Sequence, residues 1–465
     1  MRVAVVGGGI SGLAAADHLL RSGAEVVLLE GADRLGGKLR RAEVAGLTLD
    51  VGAESAIARG PAPTMAELIT DLGLPVVKPT GARSSVYVDQ RPVAIPPQVL
   101  GVPYDLDQLG GLLTDAGLRR ARQEADQPAP ALDEDVAIGR LVAERFGDEV
   151  VDRLLEPMLG GVYAGHAREL SFESVSPALY ERARGGGALS DHARAMVPAA
   201  SAGSPFVGTP GGMGAVVEAL SASLITRGAE VRTGVTVREL ATDDAGGWQL
   251  TCGPVPAPEV IGVDRVVLAT PAVATARLLA ELAPIAAQEL GAIRSASVAV
   301  VTLVVSGADL SGSGMLVPPG MLPTIKAFTH SSLKWDWVAE QVRTLHGEGA
   351  HAVRVSIGRA GQEQVLQLDD EALVVRTLAE ARTVPGWSGA EVIGHHVQRW
   401  GGGLPQYAVG HRTRMARAGE DLATLDGLAA CGAYWDGVGI AACLRTARRA
   451  AKLIMENEMS ETRSS

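Results

Sequence analysis

The first thirty residues constrain the fold more than any other part of the chain. Arg2–Val6 is a short apolar run that predicts a buried strand, and it leads into residues 7–12, which have the pattern G-x-G-x-x-G. A helix is predicted over Ser11–Arg21 with a stop at Gly23, followed by a second strand over Glu25–Leu29. This order of elements, at this spacing, predicts a βαβ unit that binds a dinucleotide.

Each glycine of this turn is predicted to have a different role in holding an anionic cofactor. Gly7 allows the tight turn, Gly9 lets the backbone approach a pyrophosphate, and Gly12 lets the helix pack closely on the strand. Glu30 ends the second strand, where its carboxylate can accept hydrogen bonds from a ribose while the helix N-terminus holds the pyrophosphate. The predicted contacts in this part of the chain are Gly7, Gly8, Gly9, Ile10, Ser11, Gly12, Glu30 and Gly31.

A second glycine pair identifies the cofactor class. Arg34, Gly36 and Gly37 complete the pattern E-x-x-x-R-x-G-G after Glu30, and the chain then resembles the flavin amine oxidase superfamily, which implies FAD. The two glycines would also admit a second close approach of backbone to an anionic cofactor. The resemblance adds further cofactor contacts, namely Lys38, Gly52, Ala53, Glu54 and Ser55.

Residues 159–165 form the second informative motif. Three glycines surround one tyrosine, which predicts a loop whose backbone lies flat against a large ligand, although a glycine-rich domain hinge would give the same pattern. Gly-Val-Tyr-Ala-Gly followed by Leu170-Ser171 resembles the oxygen-dependent protoporphyrinogen and coproporphyrinogen III oxidases. The resemblance implies that Gly161, Tyr163 and Gly165 position the substrate.

The last sixty-odd residues are predicted to return to the cofactor. A glycine turn that opens a helix suits an electron-rich flavin edge, because free N–H groups and the positive end of the helix dipole stabilise negative charge there. The resemblance places the flavin ring and ribityl chain at this turn, and the adenine at the backbone of an earlier segment, Glu230–Val237, which is predicted to be one strand. The implied contacts are Val237, Trp400, Ala433, Val438, Gly439 and Ile440.

The predicted fold class is α/β with an α+β substrate part. It comprises a Rossmann-like FAD-binding domain, an antiparallel-sheet substrate domain interleaved with it, and an all-helical insertion. The resemblance runs from residue 1 to about residue 455 and implies the following division. The FAD-binding domain takes 1–75, 207–275 and 392–465, the substrate-binding domain takes 76–100, 166–206 and 276–391, and the helical insertion takes 101–165.

Composition limits the partners. The formal net charge of −11 argues against nucleic acid, because phosphate contacts need concentrated Lys and Arg. The three cysteines, Cys252, Cys431 and Cys443, show neither C-x-x-C nor metal-ligand spacing, so no metal site is predicted and a reduced, cytoplasmic compartment is favoured. The chain shows no secretory leader and no apolar run fit to span a bilayer, so at most a peripheral membrane association is expected.

The predicted activity is an FAD oxidase that removes hydrogen from a porphyrinogen with O2 as acceptor and H2O2 as product. A flavin amine oxidase and a flavoprotein that binds a tetrapyrrole without turnover remain as alternatives. Lys326 is the residue that would support the amine oxidase alternative. The resemblance implies a place in haem biosynthesis, with a ferrochelatase as a pathway partner.

Arginines are expected to hold the substrate's carboxylates. Candidates by position are Arg59, Arg168, Arg182 and Arg184, whereas residues 94–100, where the family carries an arginine, have none. That departure, with the lack of a membrane segment, favours the more hydrophilic coproporphyrinogen III over protoporphyrinogen. The cluster of Arg119, Arg120 and Arg122 is interpreted as a solvated helix face in preference to a binding surface, and His166 and His330 as structural.

Overall fold

A computed structural model describes residues 1–58, 60–197 and 204–461 of the chain. Arg59, one of the candidate carboxylate anchors, lies outside the described residues. The strands of the described chain are β1 (Arg2–Val6), β2 (Glu25–Leu29), β3 (Arg41–Val44), β4 (Leu47–Asp50), β5 (Ala56–Ile57), β6 (Ser84–Val88), β7 (Arg91–Ala94), β8 (Gln98–Val99), β9 (Val102–Pro103), β10 (Phe206–Val207), β11 (Glu230–Arg232), β12 (Val237–Thr242), β13 (Trp248–Cys252), β14 (Glu259–Val263), β15 (Arg265–Leu268), β16 (Ser295–Ser306), β17 (Gly314–Leu316), β18 (Ile325–Thr329), β19 (His351–Ile357), β20 (Glu391–Pro405) and β21 (Leu428–Ala430).

The helices are α1 (Ile10–Arg21), α2 (Met65–Asp71), α3 (Asp115–Arg122), α4 (Ile138–Phe146), α5 (Asp148–Val150), α6 (Glu156–Tyr163), α7 (Phe172–Val175), α8 (Pro177–Ala183), α9 (Leu189–Arg194), α10 (Met213–Thr226), α11 (Ala272–Leu278), α12 (Pro284–Gly291), α13 (Ser331–Lys334), α14 (Asp336–His346), α15 (Asp370–Ala381), α16 (His411–Leu422) and α17 (Ile440–Glu461). A π-helical turn, Val151–Leu155, joins α5 to α6. Within the described ranges, no helix is both long and apolar enough to cross a bilayer.

The N-terminal strands build a five-stranded sheet in the order β11-β2-β1-β15-β21, with parallel pairing throughout. Its strands are apolar on both faces because both faces are covered. Val3 and Val5 point to the face packed by α1, α10 and α17, while Ala4 and Val6 point to the face packed by β12–β14, α11 and α12. The predicted dinucleotide-binding unit is confirmed, with β1 and β2 at their predicted bounds.

The second large sheet has seven strands in the order β20-β16-β19-β18-β17-β6-β7. Its pairs are antiparallel except β17 with β6, and β16 is a buried strand between β19 and the edge strand β20. Helix α15 and Trp387 pack on one face of this sheet. Residues 391–405 belong to this sheet, although residues from 392 onward are predicted for the FAD-binding domain; the domain boundaries themselves stay a prediction.

A third apolar core joins the helical region. It contains Val86 and Val88 of β6 and residues from Val102 to Met196, so α7, α8 and α9 share it with the segment predicted as the helical insertion. Tyr407, which follows β20, also enters this core. The helical region therefore sits directly on the end of the second sheet, and this contact positions α6.

The predicted single strand over Glu230–Val237 is wrong. β11 ends at Arg232 and joins the parallel sheet, whereas β12 begins at Val237 and belongs to a separate three-stranded sheet. Gly234, at a φ of +71°, makes the turn between them, and the Val235 N–H donates to the Glu30 carbonyl at 2.9 Å. The turn between β11 and β12 therefore lies against the end of β2.

Candidate active site

Two glycines of the turn after β1 differ in their surroundings: Gly12 is packed against protein backbone, and Gly9 borders open space. A Cβ on Gly12 would lie 1.8 Å from the Gly7 carbonyl oxygen, so this position admits only glycine for internal reasons. A Cβ on Gly9 would meet no protein atom within 4 Å. The backbone at Gly9 therefore borders open space, which is where a cofactor pyrophosphate is predicted to lie.

Two helix N-termini meet at the same edge of the parallel sheet. Helix α1 follows β1 and begins at Ile10, and α17 follows β21 and begins at Ile440; the two helices pack on each other. Because parallel strands end at one edge, the free N–H groups of both first turns face that edge. Gly439, just before α17, is exposed, and a Cβ there would also meet nothing within 4 Å.

Glu30 occupies the end of β2 with its carboxylate held in place. One oxygen accepts from the Gly8 N–H at 2.6 Å, and the other accepts from the Ala32 N–H at 2.8 Å. Thr236 lies beside Gly31, so the start of β12 at Val237 is close to this carboxylate. The structure thus brings together the predicted ribose acid and the predicted adenine segment.

The other end of the cleft gathers Lys38, Gly52 and Trp400. A Cβ on Gly52 would lie 1.9 Å from the Lys38 carbonyl oxygen and 3.1 Å from the Trp400 ring, and the Ala53 N–H donates to the same carbonyl at 2.9 Å. Lys38 is solvent-exposed although protein atoms surround it on most sides, so it lines a cleft. Burial, opposed in part by the Cys443 thiol, lowers the pKa of its ammonium group.

The segment before α17 completes this end of the cleft. Tyr407 donates its hydroxyl hydrogen to the Ala433 carbonyl and stacks on His411 at a centroid distance of 4.0 Å. Val438 packs against the apolar core of the helical region. The predicted ring contacts at 433–440 therefore lie where the parallel sheet, β20 and the helical region meet.

Glu54 belongs to a network of hydrogen bonds and ion pairs that was not predicted from the sequence. Its buried carboxylate accepts from Trp335 Nε1 at 2.8 Å and Arg354 Nη1 at 3.0 Å, and it lies 3.5 Å from Lys334 Nζ, which also reaches Ser55 Oγ. Burial raises the pKa of Glu54, but the charges of Lys334 and Arg354 outweigh it and bring the pKa down to about 2. The Glu54 side chain thus ties the cofactor segment to α13 and β19, and its predicted cofactor contact stays a prediction.

The predicted glycine-rich loop is wrong, because residues 159–163 are helical. They form the end of α6, which begins at Glu156 and stops where Ala164 adopts a left-handed conformation. Leu159, Gly160 and Tyr163 are buried in the core of the helical region, and this burial overrides the poor helix propensity of glycine. Gly161 faces the opposite way: it is exposed, and a Cβ there would meet only Leu316, at 3.4 Å.

The other two residues of this motif have internal partners. Tyr163 packs on the Tyr407 ring at 5.7 Å, and burial raises the pKa of its hydroxyl to about 12. A Cβ on Gly165 would lie 1.9 Å from Gln406 Oε1, and Gln406 Nε2 donates to the Tyr163 carbonyl at 2.7 Å. Of the three predicted positioning residues, only Gly161 borders open space.

Helix α6 ends beside the Trp400 end of the cleft. Ala164 is fully buried in a small apolar cluster with Ala296 and Val298 of β16, and Trp400 packs against that cluster. The exposed Gly161 face of the helix is therefore adjacent to the Gly52–Trp400 pair.

Two of the four candidate arginines form ion pairs with neighbouring acids. Arg168 binds Asp152 and Asp148 at 2.6 and 2.7 Å, and Arg184 pairs with Glu181 at 3.6 Å, all at exposed positions. Arg182 is also exposed, on α8. In the predicted basic cluster, Arg120 and Arg122 bind groups of the helical region itself, as expected for a structural face.

The site fits a dinucleotide cofactor with a flat ring system. An open backbone cradle, two helix N-termini and a fixed carboxylate lie at one end, and Gly52, Trp400 and the start of α17 lie at the other. Residues 10–455 match the flavin containing amine oxidoreductase family, and the chain belongs to that family. It is therefore a flavin-dependent oxidoreductase.

Several named relatives align over nearly the full chain. The chain is 36% identical to the coproporphyrinogen III oxidase of Mycobacterium tuberculosis (strain ATCC 25618 / H37Rv), over 97% of each chain. It is 30% identical to the protoporphyrinogen oxidase of Bos taurus, over 98% of each. The crystal structure of a candidate protoporphyrinogen oxidase from Exiguobacterium sp. 255-15 superposes with a TM-score of 0.83 at 28% identity, over 98% of each chain.

Proposed function

We propose that the protein is an FAD-dependent oxidase that converts coproporphyrinogen III to coproporphyrin III in haem biosynthesis, with O2 as electron acceptor and H2O2 as product. One structural observation supports this function most strongly. The exposed Gly161 face of α6 lies beside the Trp400 end of the cofactor cleft, where a flat macrocycle can lie against the flavin position. The names of the aligned relatives support the substrate class.

The two-ended cleft supports FAD as the flavin. Glu30 and the turn before Val237 form a nucleotide end, which a flavin without adenosine would leave unused. When bound, the flavin supplies hydride acceptance and the return of electrons to O2. The chain's own contribution is to bind and orient both partners and to exclude water.

The residues around α6 perform this orientation. Tyr163 and Gln406 fix the inner side of the helix end, so the backbone at Gly161 is held at a set distance from Trp400. A macrocycle lying against that backbone presents one bridging carbon at a time to the ring position.

The location and the pathway partner belong to the same proposal. The three cysteines are free and buried, which suits a reduced cytoplasmic compartment. The product would pass to a ferrochelatase, and the absence of an arginine at residues 94–100 supports the tetracarboxylate over the dicarboxylate substrate.

An oxygen-electrode assay tests this function. Adding coproporphyrinogen III to the aerobic holoenzyme should consume O2, release an equal amount of H2O2 and produce coproporphyrin fluorescence. Protoporphyrinogen should react more slowly. O2 consumption with aliphatic or benzylic amines and none with porphyrinogens would identify an amine oxidase instead. Tetrapyrrole binding with no O2 consumption would identify a non-catalytic binder.

A further inference from the structure

Two buried cations lie within electrostatic reach of each other, and neither forms an ion pair with a carboxylate of the described residues. Lys326 and Arg359 are 6% and 4% exposed, and the charge of Arg359 acts on Lys326. Within the described ranges, Lys326 Nζ makes neither a hydrogen bond nor an ion pair. Arg359 Nη2 donates to the Val317 carbonyl at 2.7 Å and has no ion-pair partner among the described residues. A buried cation is unfavourable unless it is paired, so an external anion is the missing partner.

This cation pair, Lys326 and Arg359, adjoins the Gly161 face of α6. Val317 connects them, because its N–H donates to the Lys326 carbonyl at 2.9 Å while its own carbonyl accepts from Arg359. The preceding residue, Leu316, is the side chain closest to the open position at Gly161. Val317 directly follows the end of β17, so the cation pair contacts the residue next to Leu316, which borders the surface assigned to the macrocycle.

The acid that acts on Arg359 already interacts with other groups. Glu156, at the start of α6, accepts from the Ala167 N–H at 2.7 Å and lies 3.1 Å from His166 Nδ1. It forms no ion pair with Arg359 and acts on it only at longer range. Burial, and then the charge of Arg359, lowers the pKa of Lys326 to about 7, so a bound anion would also stabilise its protonated form.

Arg359 borders open space. A cavity of about 620 Å³ opens at the ends of β18 and β19, and Arg359 lines it together with Thr324, Gly358 and Gln362. Arg359, at the edge of this cavity, and the nearby Lys326 can bind one carboxylate through charge-assisted hydrogen bonds. Lys326 lies on β18, two strands from β16 in the sheet order, and so it is apart from the cluster that Trp400 contacts.

We infer that Lys326 and Arg359 anchor one carboxylate side chain of the porphyrinogen and thereby fix which bridging carbon faces the flavin. This inference rests on the proposed function for the identity of the macrocycle. It assigns the carboxylate anchor to the second sheet, in place of Arg168, Arg182 and Arg184.

Binding of the oxidised product tests the anchor without turnover. The dissociation constant of coproporphyrin III for the FAD-loaded protein is measured by fluorescence quenching for wild type, Lys326→Met, Lys326→Arg and the exposed control Lys78→Met. Lys326→Met should weaken binding by about 10- to 100-fold, because it removes a charged hydrogen bond. Lys326→Arg should restore most of the affinity, and Lys78→Met should match wild type.

Two further measurements separate an anchor from a structural lysine. The tetramethyl ester of coproporphyrin III has no carboxylate, so its affinity should be the same for wild type and Lys326→Met. The melting temperature of Lys326→Met should be equal to or above that of wild type, because a lysine without a partner is replaced by an apolar side chain. Equal affinity of wild type and folded Lys326→Met for coproporphyrin III would overturn the inference.

The outcomes also separate this inference from the proposed function. A wild type that binds coproporphyrin III, loses affinity on Lys326→Met and yet oxidises no porphyrinogen would support the anchor and refute the oxidase. Normal turnover with unchanged binding by Lys326→Met would support the oxidase and refute the anchor. A wild type that binds no porphyrin would refute both.

Discussion

Gly9 and Gly12 differ in what a side chain would meet, and this difference gives a test of the cofactor site. Gly9→Val should yield a folded, colourless protein, because the valine would occupy space that no protein atom fills. Absorbance of the purified protein near the flavin maximum and the melting temperature of the apoprotein check this. A folded Gly9→Val protein with full flavin content would show that the cofactor site is misplaced.

Gly12→Val is the matched control. Its side chain would collide with the Gly7 carbonyl oxygen, so this variant should be destabilised with or without flavin. Flavin loss in both variants, accompanied by unfolding only in Gly12→Val, is the expected pair of results. Equal melting temperatures for the two apoproteins would contradict the packing described for α1.

Glu54 gives a prediction for pH. Its pKa in the folded protein is about 2 against an ordinary value of 4.5, so its ionised form stabilises the fold above pH 4.5 and this contribution is lost as the pH falls toward 2. Glu54→Gln leaves Lys334 and Arg354 without their carboxylate, and should lower the free energy of unfolding at pH 7 by about 3 kcal/mol.

Thermal melting of wild type and Glu54→Gln across the pH range measures this contribution. The gap between the two melting temperatures should stay constant from pH 7 to pH 5 and narrow below pH 4.5. A gap that is independent of pH down to pH 3 would contradict the ion network. The conservative amide keeps the shape of the side chain, so a cavity does not complicate the comparison.

At the scale of elements, α6 is the part of the site that sequence reasoning described least well. Three glycines in seven residues predict a loop, but Leu159 and Tyr163 are buried in an apolar core and Gln406 holds the end of the helix. Those partners come from segments far along the chain, so the local pattern could not show them. The predicted conformation of this motif was therefore wrong, and its predicted contact with the substrate stays a prediction.

Gly161→Leu tests the role of α6. A leucine suits a helix better than glycine, and its Cβ would touch only Leu316, so folding and flavin content should be retained. The side chain would displace the macrocycle, and a misplacement of about 1 Å can lower the rate ~100-fold. Turnover of coproporphyrinogen III per flavin and the melting temperature are measured on one preparation. Unchanged turnover in a well-folded Gly161→Leu protein would contradict substrate contact at this face.

At the scale of the whole molecule, the sequence predicted what depends on short-range patterns. The strand, glycine turn, helix and acid of residues 1–30 form one continuous segment, and the structure confirms them almost residue by residue. The fold class was predictable for the same reason. Lys326 stood in an apolar strand, which is an unusual place for a cation, but Arg359 is thirty-three residues away and only the sheet brings the two together.

Anaerobic reduction of the bound flavin by candidate substrates tests the central claim most directly. The holoenzyme is mixed without O2 with coproporphyrinogen III, protoporphyrinogen, or an aliphatic or benzylic amine, and the flavin absorbance is followed. Coproporphyrinogen III should bleach the flavin fastest, and admission of O2 should restore the absorbance with release of H2O2. Rapid bleaching by an amine, with none by either porphyrinogen, would contradict the assignment of this site to porphyrinogen oxidation.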